Sequence, residues 1–146
     1  MNRKIASSLQ SWVCAALLSA GCGAALAQQV VTADVSDRDL RGRLEIAVEQ
    51  AVVFRTGSAL LVQAPKVTAF TELAKAKPDV IKSAKRRGVR IFACEDPISG
   101  ASQALPPFEW VPLLRDAAGE ALRYQAPAIS QGTELARLCQ QQMSLR

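Results

Sequence analysis

Cys94, Glu95 and Asp96 stand consecutively at the end of the apolar run Val89-Arg90-Ile91-Phe92-Ala93, with Pro97 just behind them. A thiol and two carboxylates at one place suggest nucleophilic or acid–base chemistry. The thiol is a weak nucleophile as it stands. Its ordinary pKa is near 8.5, so only a few per cent ionises at pH 7. Glu95 and Asp96, if turned towards the sulfur, would raise that pKa further. On an extended strand Arg90 shares the face of Cys94 but lies about 13 Å away, too far to oppose them by contact. The same three residues make a poor metal site. Neighbours on a strand point to opposite faces, and nothing in the chain identifies a fourth ligand, so no metal and no cofactor is expected.

Histidine is absent from the 146 residues. That excludes Ser-His-Asp and Cys-His catalysis, histidine-ligated zinc and histidine-ligated haem. Any general base must be Asp, Glu, Lys, Tyr or a thiolate. Cys94 has two further readings. It can be a small buried hydrophobe, or it can pair with Cys139. Closing a loop of about 45 residues would stabilise the fold by roughly 4 kcal/mol.

The elements around Cys94 follow from periodicity. Val30 to Val35 reads as a first strand. Ser36, three residues before Asp39, resembles a capping-box start for a helix carrying Leu40, Leu44, Ala47, Val48, Ala51 and Val52, with Gly57 as its stop. Ser58 to Gln63 is a compact apolar run, a buried strand closed by Ala64-Pro65. Residues 66 to 76 are ambiguous between a pocket cap and a helix. Pro78 suits a first helical position. Lys85, Arg86 and Arg87 then complement the dipole at the far end, and Gly88 stops the helix. Val89 to Cys94 is the next strand, expected parallel to the Ser58 strand. Residues 96 to 107 are rich in turn formers. Phe108 to Leu114 contains Pro112 and reads as an edge strand. Asp116 to Gly119 reads as a turn, with Leu122 to Ala126 as a hairpin return. Ser130 or Thr133 opens a final helix through Leu135, Leu138 and Cys139, with residues 140 to 146 expected to fray. Strand–helix alternation of this kind makes an α/β sandwich around a mostly parallel sheet. Ligands of open α/β sheets gather beyond the carboxyl ends of the strands. The expected crevice therefore lies at Ala64, Glu95 and Asp96, beside Cys94.

The first residues are read apart from the fold. Arg3 and Lys4, an apolar stretch from Trp12 to Leu18 and Ala25-Leu26-Ala27 follow the order of a secretory signal peptide. The expected organisation is a signal peptide over residues 1–27 and one α/β domain over residues 28–146. An uncleaved anchor and lipidation at Cys22 are alternatives. Once the signal peptide is removed, a membrane comes into play only through lipidation at Cys22, as a tether to the envelope. Export to the periplasm would leave Cys94 and Cys139 as the two mature cysteines, in a compartment where disulfides form. Net charge is +5 for the whole chain. Loss of Arg3 and Lys4 brings it to +3. The one dense basic cluster, Lys82, Lys85, Arg86 and Arg87, fits a solvated helix end. Nucleic acid is not an expected partner.

Two stretches resemble a known family. "KRRGVRIFAC", residues 85 to 94, is similar to the helix end, glycine and strand-to-cysteine step of DsrE-like proteins. "AISQGTELARLCQQQ", residues 128 to 142, is similar to their closing loop and helix, with Glu134, Leu135, Leu138 and Gln140 in comparable places. The resemblance covers residues 30 to 98 and 128 to 142. It implies a flavodoxin-like three-layer fold, homo-oligomers, and Cys94 at the position that carries persulfide sulfur in the cytoplasmic sulfur-relay members. Glu95-Asp96-Pro97, the segment 106 to 127 and the missing terminal aromatic segment depart from the family pattern. Two functions follow as expectations. In one, an exported domain handles sulfur or a small thiol-reactive group at Cys94. In the other, a non-catalytic envelope protein binds a small molecule or a protein partner, with Cys94 structural or bonded to Cys139 and Phe108 and Trp110 as candidate anchors. A hydrolase has no supporting motif.

Overall fold

The computed structural model describes residues 30–34, 36–97 and 107–146. The segment expected to be a signal peptide, with Cys14 and Cys22, Val35 at the end of the first expected strand, and residues 98–106 of the turn-rich stretch lie outside the described residues.

Four strands form one parallel sheet: β1 (Val30–Ala33), β2 (Ser58–Val62), β3 (Val89–Cys94) and β4 (Glu109–Val111). Their order is β1-β2-β3-β4, with every neighbouring pair parallel. Between them run α1 (Leu40–Phe54), α2 (Val67–Ala76) and α3 (Pro78–Arg86). Because the strand order never reverses, right-handed crossovers set α1, α2 and α3 on the same side. Alternation along the strands shows the consequence. Val31, Ala33, Leu60, Val62, Val89, Ile91 and Ala93 pack under α1, α2 and α3 together with Leu44, Phe70 and Ile81. Ala59, Leu61, Phe92, Cys94 and Val111 point to the opposite face. There α4 (Gly132–Ser144) covers them with Leu135 and Cys139. A hairpin of β5 (Leu113–Arg115) and β6 (Leu122–Tyr124) stands beyond the sheet edge. All five residues of β2 are buried, as expected for a central strand covered on both faces.

Several sequence expectations are corrected by local chemistry. The cap of α1 is Asp39, whose Oδ1 accepts from Gly42 N at 2.9 Å. Ser36 instead turns its hydroxyl to Asp34. The left-handed residue that ends α1 is Arg55, at φ 55°. Gly57, at φ 79°, opens β2 against Gly88, where an added Cβ would stand 3.0 Å from the Gly88 carbonyl oxygen. The ambiguous stretch after β2 is a 3-10 turn, Ala64–Lys66, running into α2. Pro112, which has no N–H to donate, separates β4 from β5, so one expected strand is two. The terminal helix does not fray at residue 140; it continues to Ser144. Phe108 is 7% exposed and Trp110 packs against the helix-side core, with their ring centroids 6.0 Å apart. They are packing residues rather than exposed anchors.

The edge is tied by charge. Arg90 Nε donates to Glu109 Oε1 at 2.9 Å, and its guanidinium lies 5.1 Å from the Phe92 ring centroid. The Arg90 hydrogen bond holds the Glu109 carboxyl below its ordinary value. A depressed folded pKa stabilises at neutral pH, and the contribution is lost as pH falls through that folded value. Both side chains are 44% exposed, so the pair is worth under about 1 kcal/mol. Glu109→Gln is expected to lower the melting temperature by less than about 5 °C at pH 7. The difference from wild type should vanish once the pH falls below that lowered value, a comparison that calorimetry at neutral and at acid pH makes directly.

Candidate functional site

The carboxyl ends of β2 and β3, the hairpin and the last turn of α4 enclose a crevice of ≈ 350 Å³. Ala64, Cys94, Glu95 and Asp96, all placed at a strand-end crevice by the sequence, line it together. The crevice lacks the switch point that doubly wound sheets use, because β2 and β3 are consecutive neighbours. Its depth comes instead from the hairpin and α4 standing up around the strand ends.

Cys94 is bonded to Cys139, with the two Cα atoms 5.6 Å apart. Cys94 is 3% exposed and Cys139 is fully buried. The bond forms because β3 ends on the face that α4 covers, which brings residue 94 opposite the middle of that helix. The candidate nucleophile is thus a half-cystine in this structure, and the wall of the crevice is a covalent tether between sheet and helix.

The two carboxylates are engaged in structure. Glu95 N donates to Val111 O at 3.2 Å, and Glu95 Oε2 accepts from Leu113 N at 2.6 Å. The side chain therefore closes the corner that Pro112 makes between β4 and β5. Asp96 Oδ1 pairs with Arg146 Nη1 at 3.2 Å, tying the chain end across the crevice. Tyr124 Oη donates to the Glu95 carbonyl oxygen at 3.1 Å. Burial raises the Tyr124 phenol above its usual pKa, with the Arg146 cation acting the other way and the Asp96 and Glu95 charges reinforcing the rise. The phenol stays protonated at neutral pH, a donor and not a base.

Two groups at the crevice lack a counterpart among the described residues. The Arg115 guanidinium makes no ion pair with any described residue, and it stands exposed at the rim. Gln142 also lines the crevice, and its Nε2 is buried with no hydrogen-bond partner. Sequence reasoning missed Arg115, Tyr124, Gln142 and Arg146. Two of them lie on residues expected to fray. The signal that was available is Arg146 lying within reach of an acid-rich turn once α4 is extended by one turn. Among the described residues no three His, Cys, Asp or Glu side chains gather as a metal site would require.

Fold and site together define a three-layer α/β domain with a disulfide-walled crevice at its strand ends. The chain matches no family model, no curated protein sequence and no solved structure.

Proposed function

We propose that this protein is an exported, non-catalytic binding domain whose strand-end crevice takes a small molecule carrying a carboxylate or a similar anion. The observation that carries the reading is the crevice itself. Its sulfur is committed to a bond with buried Cys139 and its acids to backbone and Arg146, while Arg115 stands at the rim without a counter-ion among the described residues. Arg115 would meet the anion in a forked geometry suited to carboxylates. A cavity of this size fits the lower end of small-ligand sites. Export is supported by the Cys94–Cys139 bond, because such bonds persist in oxidising compartments. A flavodoxin-like layout is supported by the three layers and the all-parallel sheet, and the DsrE-like reading rests on the two sequence stretches alone. The unreversed strand order differs from the 2-1-3-4-5 order of flavodoxin itself.

Sulfur handling at Cys94 is the second reading, favoured by the one fact that Cys94 lines the crevice. It needs the bond to Cys139 reduced first. A single set of measurements separates the two. Native protein exposed to an alkylating agent without reductant is expected to take up no label. A thermal-shift series against small mono- and dicarboxylates, sulfate, thiosulfate and phosphate is expected to show stabilisation by one carboxylate class. Arg115→Ala should weaken that binding about tenfold or more, the loss of one charge-assisted hydrogen-bonded contact. One equivalent of label on native Cys94 would restore the sulfur reading. A flat series, or binding indifferent to Arg115→Ala, would overturn the binding reading.

A further inference from the structure

Arg115 closes β5 and Leu122 opens β6, and the two stand directly opposite each other in the hairpin ladder. Opposed residues of an antiparallel pair share a face, with Cβ atoms about 5 Å apart. Both line the strand-end crevice, and so does Tyr124, two residues on and therefore on that same face. Leu114 and Arg123, the opposed pair between them, take the other face and are exposed. The hairpin thus shows the crevice a cation with an apolar side chain beside it.

The facing wall repeats the apolar half. Met143, from the last turn of α4, lines the crevice opposite the hairpin. Leu122 and Met143 are both half-buried, yet neither packs into either of the two hydrophobic cores. Their apolar surface is turned to the crevice, and Ala64 and Pro97 extend it. The polar groups around them are engaged elsewhere. Tyr124 Oη donates to the Glu95 carbonyl oxygen, which leaves its ring to the cavity. Glu95 accepts from Leu113 N, and Asp96 pairs with Arg146. Gln142 Nε2 is buried and offers the cavity no surface. A ligand rich in hydroxyls would find few partners here, and hydroxyls buried without partners are costly. A second carboxylate on the ligand would sit beside Glu95 and Asp96, where like charges repel.

We infer that the ligand of this crevice is a monocarboxylate with an apolar tail, its head on Arg115 and its tail between Leu122 and Met143. The inference rests on the reading of the crevice as an anion-binding site and narrows that site to one chemical class. Space for a longer tail adjoins it. A concavity of ≈ 220 Å³ lined by Pro65 and Leu145 shares Gln142 and Arg146 with the crevice, so those two side chains are the partition between them. Leu145 is 83% exposed there, an apolar surface that a tail passing Arg146 would cover.

Isothermal titration of the disulfide-bonded protein with three six-carbon acids, hexanoate, adipate and gluconate, tests the class. Hexanoate is expected to bind at least about tenfold more tightly than either of the others. In the series butanoate, hexanoate, octanoate each added methylene should tighten binding by up to about fourfold, with a negative heat-capacity change. Arg115→Ala should weaken all three linear acids by a similar factor and leave that dependence on chain length in place. Leu122→Ser and Met143→Ser should each flatten it. They lie on separate elements, and circular dichroism and the melting temperature confirm that each variant is folded. Adipate or gluconate binding as tightly as hexanoate overturns the inference and leaves the anion site standing. A chain-length dependence unchanged in both folded serine variants overturns it too. Binding of none of these acids removes the anion site and the inference together.

Discussion

Replacing Cys94 and Cys139 together by alanine is expected to lower the unfolding free energy by about 4 kcal/mol. The bond spans a sequence separation of 45 residues. In the unfolded chain it removes the conformations in which those residues are far apart, and the chain-entropy relation gives the figure. Native domains are stable by about 5–15 kcal/mol in total, so the loss is a large fraction. For a domain of this length the melting temperature should fall by about 15 °C. The tether also has a specific place. It joins β3, at the centre of the sheet, to α4, the one described helix on that face, so its loss should loosen α4 and the crevice together. Calorimetry of the wild type in reductant should reproduce the variant, and reductant should not change the variant further. A shift of less than about 1 kcal/mol would mean that the two sulfurs are not joined in the native protein.

Gly132→Ala is the second substitution expected to have a large effect, and its sign runs against helix propensity. Alanine for glycine inside a helix ordinarily stabilises by up to about 1 kcal/mol. Here Gly132 begins α4 and is buried against the preceding loop. A Cβ on it would sit far inside van der Waals contact of the Pro127 carbonyl oxygen, and 3.1 Å from the Pro127 carbonyl carbon and nitrogen. All three are backbone atoms, so no side chain can swing away. Pro127 O already accepts from Ile129 N at 2.8 Å, and Gly132 N donates to Ile129 O at 3.0 Å. The loop is therefore held in two places where it would need to yield. Overpacking of this kind costs about 1–3 kcal/mol, and the expected result is a net loss near the upper end. Because α4 carries Cys139, Gln142 and the path to Arg146, the crevice should distort with it. Urea unfolding gives the stability. Binding of the carboxylate found by the thermal-shift series gives the crevice. A neutral or stabilised variant would show that the loop yields at little cost.

The parallel strands were legible because buried β2 and β3 are compact apolar runs. SALLV and VRIFAC end where Ala64-Pro65 and Glu95-Asp96 end them. Helix α3 was legible from Pro78 at one end and Gly88 at the other. Residues 66–76 were not, since Val67 and Phe70 suit a pocket cap and a helix equally until the sheet beneath them is known. The strand expected across Phe108 to Leu114 was split by Pro112, whose missing N–H ends pairing with β3 and frees the chain to turn into the hairpin. At the site, Cys94, Glu95, Asp96 and Ala64 were legible because strand ends are where such sheets hold ligands. The disulfide was open as one reading among three, since nothing local fixes the distance between a strand end and a helix 45 residues later. Arg115, Tyr124 and Gln142 were invisible for the same reason. They come from the hairpin and α4, and their meeting is a property of the tertiary fold.

The position of Cys139 also bears on the order in which this molecule is made. Strands β1 to β3 and the three helices on their near side contact neighbours in sequence, so that half can assemble before the C-terminal segment docks. The far face has no cover at that stage. Phe92, Leu61 and the Cys94 thiol stay wet until the segment bearing Leu135 and Cys139 arrives. The sulfur bridge is thus a late event, and it closes over a surface that would otherwise be the adhesive side of a half-built protein.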